Sequence, residues 1–222
     1  MRAIRALAVA ALVPLALNAV GAQATRHFKD SWFWGMKGGG MLYQVQSQPT
    51  GLTIAPTAGA DWLITRTNGG LYVSFDESFF NEYVFVNDSV GPLDLTPRQV
   101  NLQNMHRFTL AGMLFPLQTY RMHPYIGFGF AISSIAQANP QGTYRNSLQQ
   151  RLVTSTIQQF KTAGAPVVIL GTQLRLPFGS LFGHVQTSPS NSNFFLYNGP
   201  GWRSTAEAGM RYNVGSSIDK MR

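Results

Sequence analysis

From Tyr125 to Ile132 the chain alternates by size. Ile126, Phe128, Phe130 and Ile132 share one side, and Tyr125, Gly127, Gly129 and Ala131 the other. A period of two is that of a strand, here with one bulky apolar face and one small face. The same alternation recurs along the chain and predicts eight strands. The first runs from Ser31 to Tyr43, with Trp32, Trp34 and Met36 opposite Phe33, Gly35 and Lys37, and its Gly38-Gly39-Gly40 run permits coiling. Ala60 to Thr67 and Gly70 to Ser78 flank Asn68-Gly69, a hairpin dipeptide suited to positive φ. The fourth lies around Asn104 to Phe115, and the fifth occupies the segment from Met122 to Ile132. Ala165 to Leu176, Leu181 to Thr187 and Trp202 to Val214 complete the set. The last is the most regular. Trp202, Ala206, Ala208, Met210, Tyr212 and Val214 alternate with Arg203, Thr205, Glu207, Gly209, Arg211 and Asn213.

The connections alternate too. Asn68-Gly69, Pro116 to Met122 and Pro177 to Ser180 are short; Gln46 to Ala58, Asn81 to Arg98, Ser133 to Gly164 and Ser188 to Gly201 are long. Short turns at one end and long loops at the other are the pattern of a transmembrane barrel of even strand number. Phe79 to Val86 and Arg151 to Phe160 are read as strand extensions or loop structure, because a lone extra crossing would break the even count. The fold class expected is all-β, an eight-stranded antiparallel up-and-down transmembrane β-barrel.

Composition decides which face looks where. Charged residues make up 12% and aromatics 12%, with 22 glycines and no cysteine. That charged share is about half the usual one in soluble domains, and without cysteine no disulfide can stabilise the chain. Eight strands enclose a lumen just wide enough for side chains to fill, so the small face suits the inside and the bulky face suits lipid. By this parity Lys37, Asp61, Asp76, Arg107, Arg175, Arg203, Glu207 and Arg211 face the lumen. Strand eight closes on strand one, so Glu207 is expected to pair with Lys37, with Arg203 and Arg211 flanking it in a charge network that fills the pore. Trp32, Trp34 and Tyr212 near the short-turn end, and Phe75, Phe79 and Trp202 near the long-loop end, are expected to form interface girdles.

The N-terminal segment carries Arg2 and Arg5, an apolar run from Ala6 to Leu17 broken by Pro14, and Ala22-Gln23-Ala24. That is the plan of a secretory signal peptide cut after Ala24, with small residues at Ala22 and Ala24, and the run is too short to span a bilayer as a helix. The expected domains are therefore the signal peptide, 1–24, and the barrel, 25–222. Its removal lowers the formal net charge from +8 to +6.

With these features the chain resembles the small outer-membrane β-barrel family of Gram-negative-type bacteria typified by outer-membrane proteins A, X and W. The likeness is carried by Ala22-Gln-Ala24, the first strand WFWGMKGGG, Pro124-Tyr-Ile-Gly-Phe-Gly, and the last strand from Glu207 to Val214. The resemblance implies a C-terminal insertion signal formed by Glu207, Gly209, Tyr212 and Val214 and read by the barrel assembly machinery. The chain departs from it in ending the signal on Val214 rather than an aromatic and in continuing through a tail from Gly215 to Arg222. Membrane lipid and lipopolysaccharide are the other partners expected, with the chain a monomer in the cell outer membrane.

Residues arranged for chemistry are few. His27, His106, His123 and His184 show no metal-ligand spacing, and His184 is followed by Val185 and Gln186, not by the serine that lipid A deacylases carry two residues on. Gly127-Phe-Gly129 lacks the third glycine of a nucleotide loop, and Asp76-Glu77 points its carboxylates to opposite faces. Basic residues are scattered singly with no aromatic platform, so no nucleic acid is expected. No catalytic, cofactor or metal residues are assigned. The expected role is structural or surface-interacting, with a narrow conduit for small or hydrophobic solutes as the alternative and a lipid-modifying enzyme least favoured.

Overall fold

A computed structural model describes residues 28–44, 53–88, 97–117, 121–176, 179–196 and 201–216. The segment expected to be a signal peptide, with Ala22 and Ala24, and His27 lie outside the described residues. The chain forms β1 (Ser31–Tyr43), β2 (Thr53–Thr65), β3 (Gly69–Val86), β4 (Arg98–Leu114) and β5 (Met122–Pro140). One helix follows, α1 (Ser147–Phe160), and then β6 (Thr162–Leu176), β7 (Gly179–Pro189) and β8 (Trp202–Ser216). Each strand pairs antiparallel with its sequence neighbour, and β8 closes on β1, giving an eight-stranded up-and-down barrel.

Register fixes the stagger. Following paired residues round the wall from Trp32 leads through Ile64, Leu71, Gly112, Phe128, Val168, Thr187 and Ser204 back to β1 at Leu42. From residue 32 to residue 42 the stagger is ten, so the strands tilt and opposite sides of the lumen meet at different sequence offsets.

The bulky face is outside. Met36 is 66% exposed and Phe128 54%, and Leu110, Leu114, Phe130, Ile132, Leu170, Val185 and Met210 are also exposed. On β5 the outward apolar positions run from Met122 to Ile132. Ten steps of about 3.3 Å, tilted by about 40°, give an apolar belt about 25 Å tall. Polar outward pairs bound it above: His106 and Glu77 approach to 3.6 Å, Ser134 meets Thr162 at 3.0 Å, and Thr187 meets Ser204 at 3.1 Å. Trp34 stacks on Trp62 at 5.4 Å near the lower rim, where Trp34 also pairs with Tyr212, and Phe79 and Trp202 stand near the upper rim. Phe75 is lower than expected, between Ala60 and Phe108 within the belt.

The strands outrun several boundaries read from the sequence. β2 begins at Thr53, β3 continues to Val86, β4 begins at Arg98 and β5 continues to Pro140, so β3, β4 and β5 rise together above the belt. A bulge between Ser78 and Asn81 bends β3 where it leaves the belt, opposite Asn104 with its positive φ of 53°. Phe79 to Val86 is thus a strand extension. Arg151 to Phe160 belongs to α1, whose N-cap Asn146 accepts from the Gln149 amide at 2.8 Å. Gln149, Val153 and Ile157, spaced four apart, place one face of α1 inward.

The inward-facing side chains lie in three layers. At the short-turn end Phe28, Phe33, Leu63, Tyr72, Met113, Phe115, Tyr125 and Ile169 form an apolar cluster. At the other end Met41, Val84, Val100, Leu102, Met105 and Ile135 pack with Val153 and Ile157 of α1 and with Phe194 to Leu196. Charged and amide side chains occupy the space between.

Candidate functional site

The middle layer is a network of buried charge built on five strands. Lys37 of β1 places Nζ 2.8 Å from Glu207 Oε2 of β8 and 2.7 Å from Asp76 Oδ1 of β3, and donates to Tyr72 Oη at 3.0 Å. Arg107 of β4 spans the same two carboxylates, with Nη2 at 3.2 Å from Asp76 and 3.3 Å from Glu207, while Nη1 donates to Thr205 at 2.6 Å. His184 of β7 meets Glu207 Oε2 through Nε2 at 3.1 Å and Tyr125 Oη through Nδ1 at 3.1 Å. Gln186 adds a 2.8 Å bond to Glu207. Two cations therefore balance two carboxylates, and Glu207 is only 4% exposed.

A second pair lies nearer the short turns. Arg211 of β8 binds Asp61 of β2 in a fork, with Nε to Oδ1 at 3.0 Å and Nη2 to Oδ2 at 2.8 Å. Its remaining edge donates to Gln173 at 2.9 Å, and its plane lies 3.7 Å from the Phe182 ring centroid. Arg211 is 1% exposed, so its fixed neighbours serve as its whole solvation shell.

Glycine makes room for these groups. A Cβ at Gly35 would meet Asp61 Oδ1 and lie 2.8 Å from Arg211 Cγ, and one at Gly59 would run into Asp76 Oδ1. At Gly209 it would strike Met36 O and come within 2.9 Å of Lys37 Cα, where β8 closes on β1. The small face thus follows from the charges it accommodates. On β5 the space facing Gly127 is taken by Met113 and Ile169, and that facing Gly129 by Ala111.

Of the eight lumen charges read from the sequence, the structure brings six into these two groups: Lys37, Asp76, Arg107 and Glu207 in one, Asp61 and Arg211 in the other. Two placements differ from expectation. Arg211 does not flank Glu207; it reaches Asp61, because the tilt of the strands sets their side chains near one level. Arg203 does not join Glu207 either. It donates to Ser133 at 3.0 Å and lies 5.3 Å from the Phe194 ring centroid, in the upper layer. Arg175 is half-buried at the short-turn end of β6, apart from both groups. His184, Gln186, Tyr72 and Gln173 join the network without having been expected from the sequence, although Tyr72 shares the strand parity of Asp76 and Gln173 that of Arg175. Gly209 and Glu207 of the expected insertion signal face inward, whereas Tyr212 and Val214 face outward. Among the described residues no group of histidines and carboxylates has metal-binding geometry.

No family model matches the chain, and no curated protein matches it. Solved structures do. Neisserial surface protein A aligns over 82% of this chain and 96% of its own, at 10% identity and a TM-score of 0.51. The attachment invasion locus protein Ail of Yersinia pestis aligns over 84% of this chain and 99% of its own, at 9% identity and a TM-score of 0.43. The likeness at this identity is one of fold.

Proposed function

We propose that this chain is an integral outer-membrane protein with a structural or surface-interacting role, whose lumen is closed to solutes. The carrying observation is the pairing of an apolar belt about 25 Å tall outside with a charge-balanced, side-chain-filled interior. Such a belt is costly in water, and closure of the sheet leaves no unpaired edge for lipid to meet. The two apolar layers above and below the network support the closed reading over the conduit. The glycine-lined face of β5, along which a path would run, abuts Met113, Ile169 and Ala111.

In this role the network secures the wall and no catalysis is assigned to it. Glu207 serves both the network and the terminal signal read during assembly, together with Gly209, Tyr212 and Val214. The strands above the belt and α1 present the surface for interaction. Membrane fractionation and planar-bilayer recording test the proposal: a heat-modifiable band in the outer-membrane fraction, and negligible conductance of the refolded protein. Solubility without detergent would refute the membrane assignment, and steady conductance through a wide pore would refute the closed lumen.

A further inference from the structure

Above the belt, the outward face of β3, β4 and β5 changes character. Tyr83 lies opposite Asn101 and Asn101 opposite Asn139; below them Asn81 faces Gln103 and Gln103 faces Gln137. Higher up, Phe85 faces Gln99. Tyr83 and Phe85 are 44% and 50% exposed. The side chains between these turn the other way: Val84, Val100 and Leu102 pack in the upper core, and Glu82 accepts from Tyr43 Oη at 2.9 Å. Among the described residues, the face these amides and rings share carries no charged side chain. It is a three-strand field of primary amides beside two aromatic rings.

Part of this field is already organised. Gln103 donates to Asn101 Oδ1 at 2.8 Å, and Asn101 donates to Asn81 Oδ1 at 2.7 Å, so the buried Asn101 locks a chain of amides in place. A primary amide both donates and accepts, as does a sugar hydroxyl. Exposed Tyr and Phe rings offer flat apolar area to the C–H faces of pyranose rings at low conformational cost. A phosphate or carboxylate would find no cation here, so the chemistry favours neutral sugars.

Height identifies their source. The Glu77–His106 pair marks the upper rim of the belt, and on β4 Gln103 and Gln99 lie three and seven residues beyond His106. At about 3.3 Å per residue and about 40° of tilt, the field stands roughly 8 to 18 Å above that rim. Ordinary headgroups extend only about 5 to 8 Å beyond the hydrocarbon, so the membrane component at this level is the sugar of a glycolipid. We infer that the outward face of β3, β4 and β5 is a docking surface for the neutral core sugars of lipopolysaccharide in the same leaflet. The inference rests on the outer-membrane reading.

The chain has no cysteine, so a spin label on Gln137→Cys reports from the face alone, and one on Gln150→Cys, on the exposed side of α1, serves as control. The labelled protein is placed in vesicles of phospholipid with lipopolysaccharide bearing its complete core, and in vesicles where the glycolipid is truncated to lipid A. The expected result is a label at 137 immobilised only by the complete core, unchanged by raising salt from about 0.05 to about 0.5 M. Mobility should return in Tyr83→Ala/Phe85→Ala, while the label at 150 stays unaffected. Equal mobility in both vesicles, equal slowing at 150, or immobilisation that survives the double substitution would overturn the assignment. Immobilisation that tracks protein density instead of glycolipid would assign the face to a second copy and overturn it also. Protein that fails to float with either vesicle would refute the outer-membrane reading itself, a separate outcome.

Discussion

Glu207→Ala tests the central network most directly. The carboxylate holds Lys37 at 2.8 Å and Arg107 at 3.3 Å, and its removal leaves Asp76 as the carboxylate facing both cations in this group. One positive charge is then uncompensated among side chains that are almost wholly buried. Breaking a buried pair on one side costs about 3 to 5 kcal/mol. Because Asp76 still touches both cations, and Gln186 and His184 lose only one partner, the expected loss is at the lower end, about 3 kcal/mol. Urea unfolding of the refolded protein in vesicles, read by loss of the heat-modifiable band, measures it. Lys37→Met removes the surplus cation, so the double variant should be less destabilised than the sum of the singles by at least about 1 kcal/mol. A loss below about 1 kcal/mol together with additivity would refute the view that these charges depend on one another.

Two further outcomes follow from the wall. Phe128→Arg places a charge on the outward face near mid-belt and should cost about 2 to 4 kcal/mol in the same unfolding assay; a neutral result would mean that this face does not meet lipid. Gly209→Val should cost about 1 to 3 kcal/mol by overpacking, because its Cβ runs into Met36 O at the closure. Gly112→Ala, whose Cβ would sit 3.9 Å from the nearest backbone oxygen, is the matched control and should fold with little change in stability.

The alternation of side chains settled a great deal without any tertiary information. A strand repeats every two residues, so parity alone assigned Phe128 and Met210 to the outside and Lys37, Asp76, Arg107 and Glu207 to the inside. An even count with alternating short and long connections then implied closure, which brought β8 beside β1. Parity gives a face but no height. Which inward charges share a level depends on the stagger of ten residues round the wall, a property of the closed sheet and of no single strand. That stagger set Arg211 against Asp61 and left Arg203 beside Ser133 and Phe194.

The amide-rich ends of β4 and β5 looked like loop because Asn and Gln are weak strand formers, although Val100 and Leu102 kept the period of two. The packing of those residues against Val84, Ile135 and the inward face of α1 supports the extensions as sheet. The helix was likewise undecidable locally. Gln149, Val153 and Ile157 make a stripe whose value depends on an apolar surface to cover, and the closed barrel supplies that surface at its upper end.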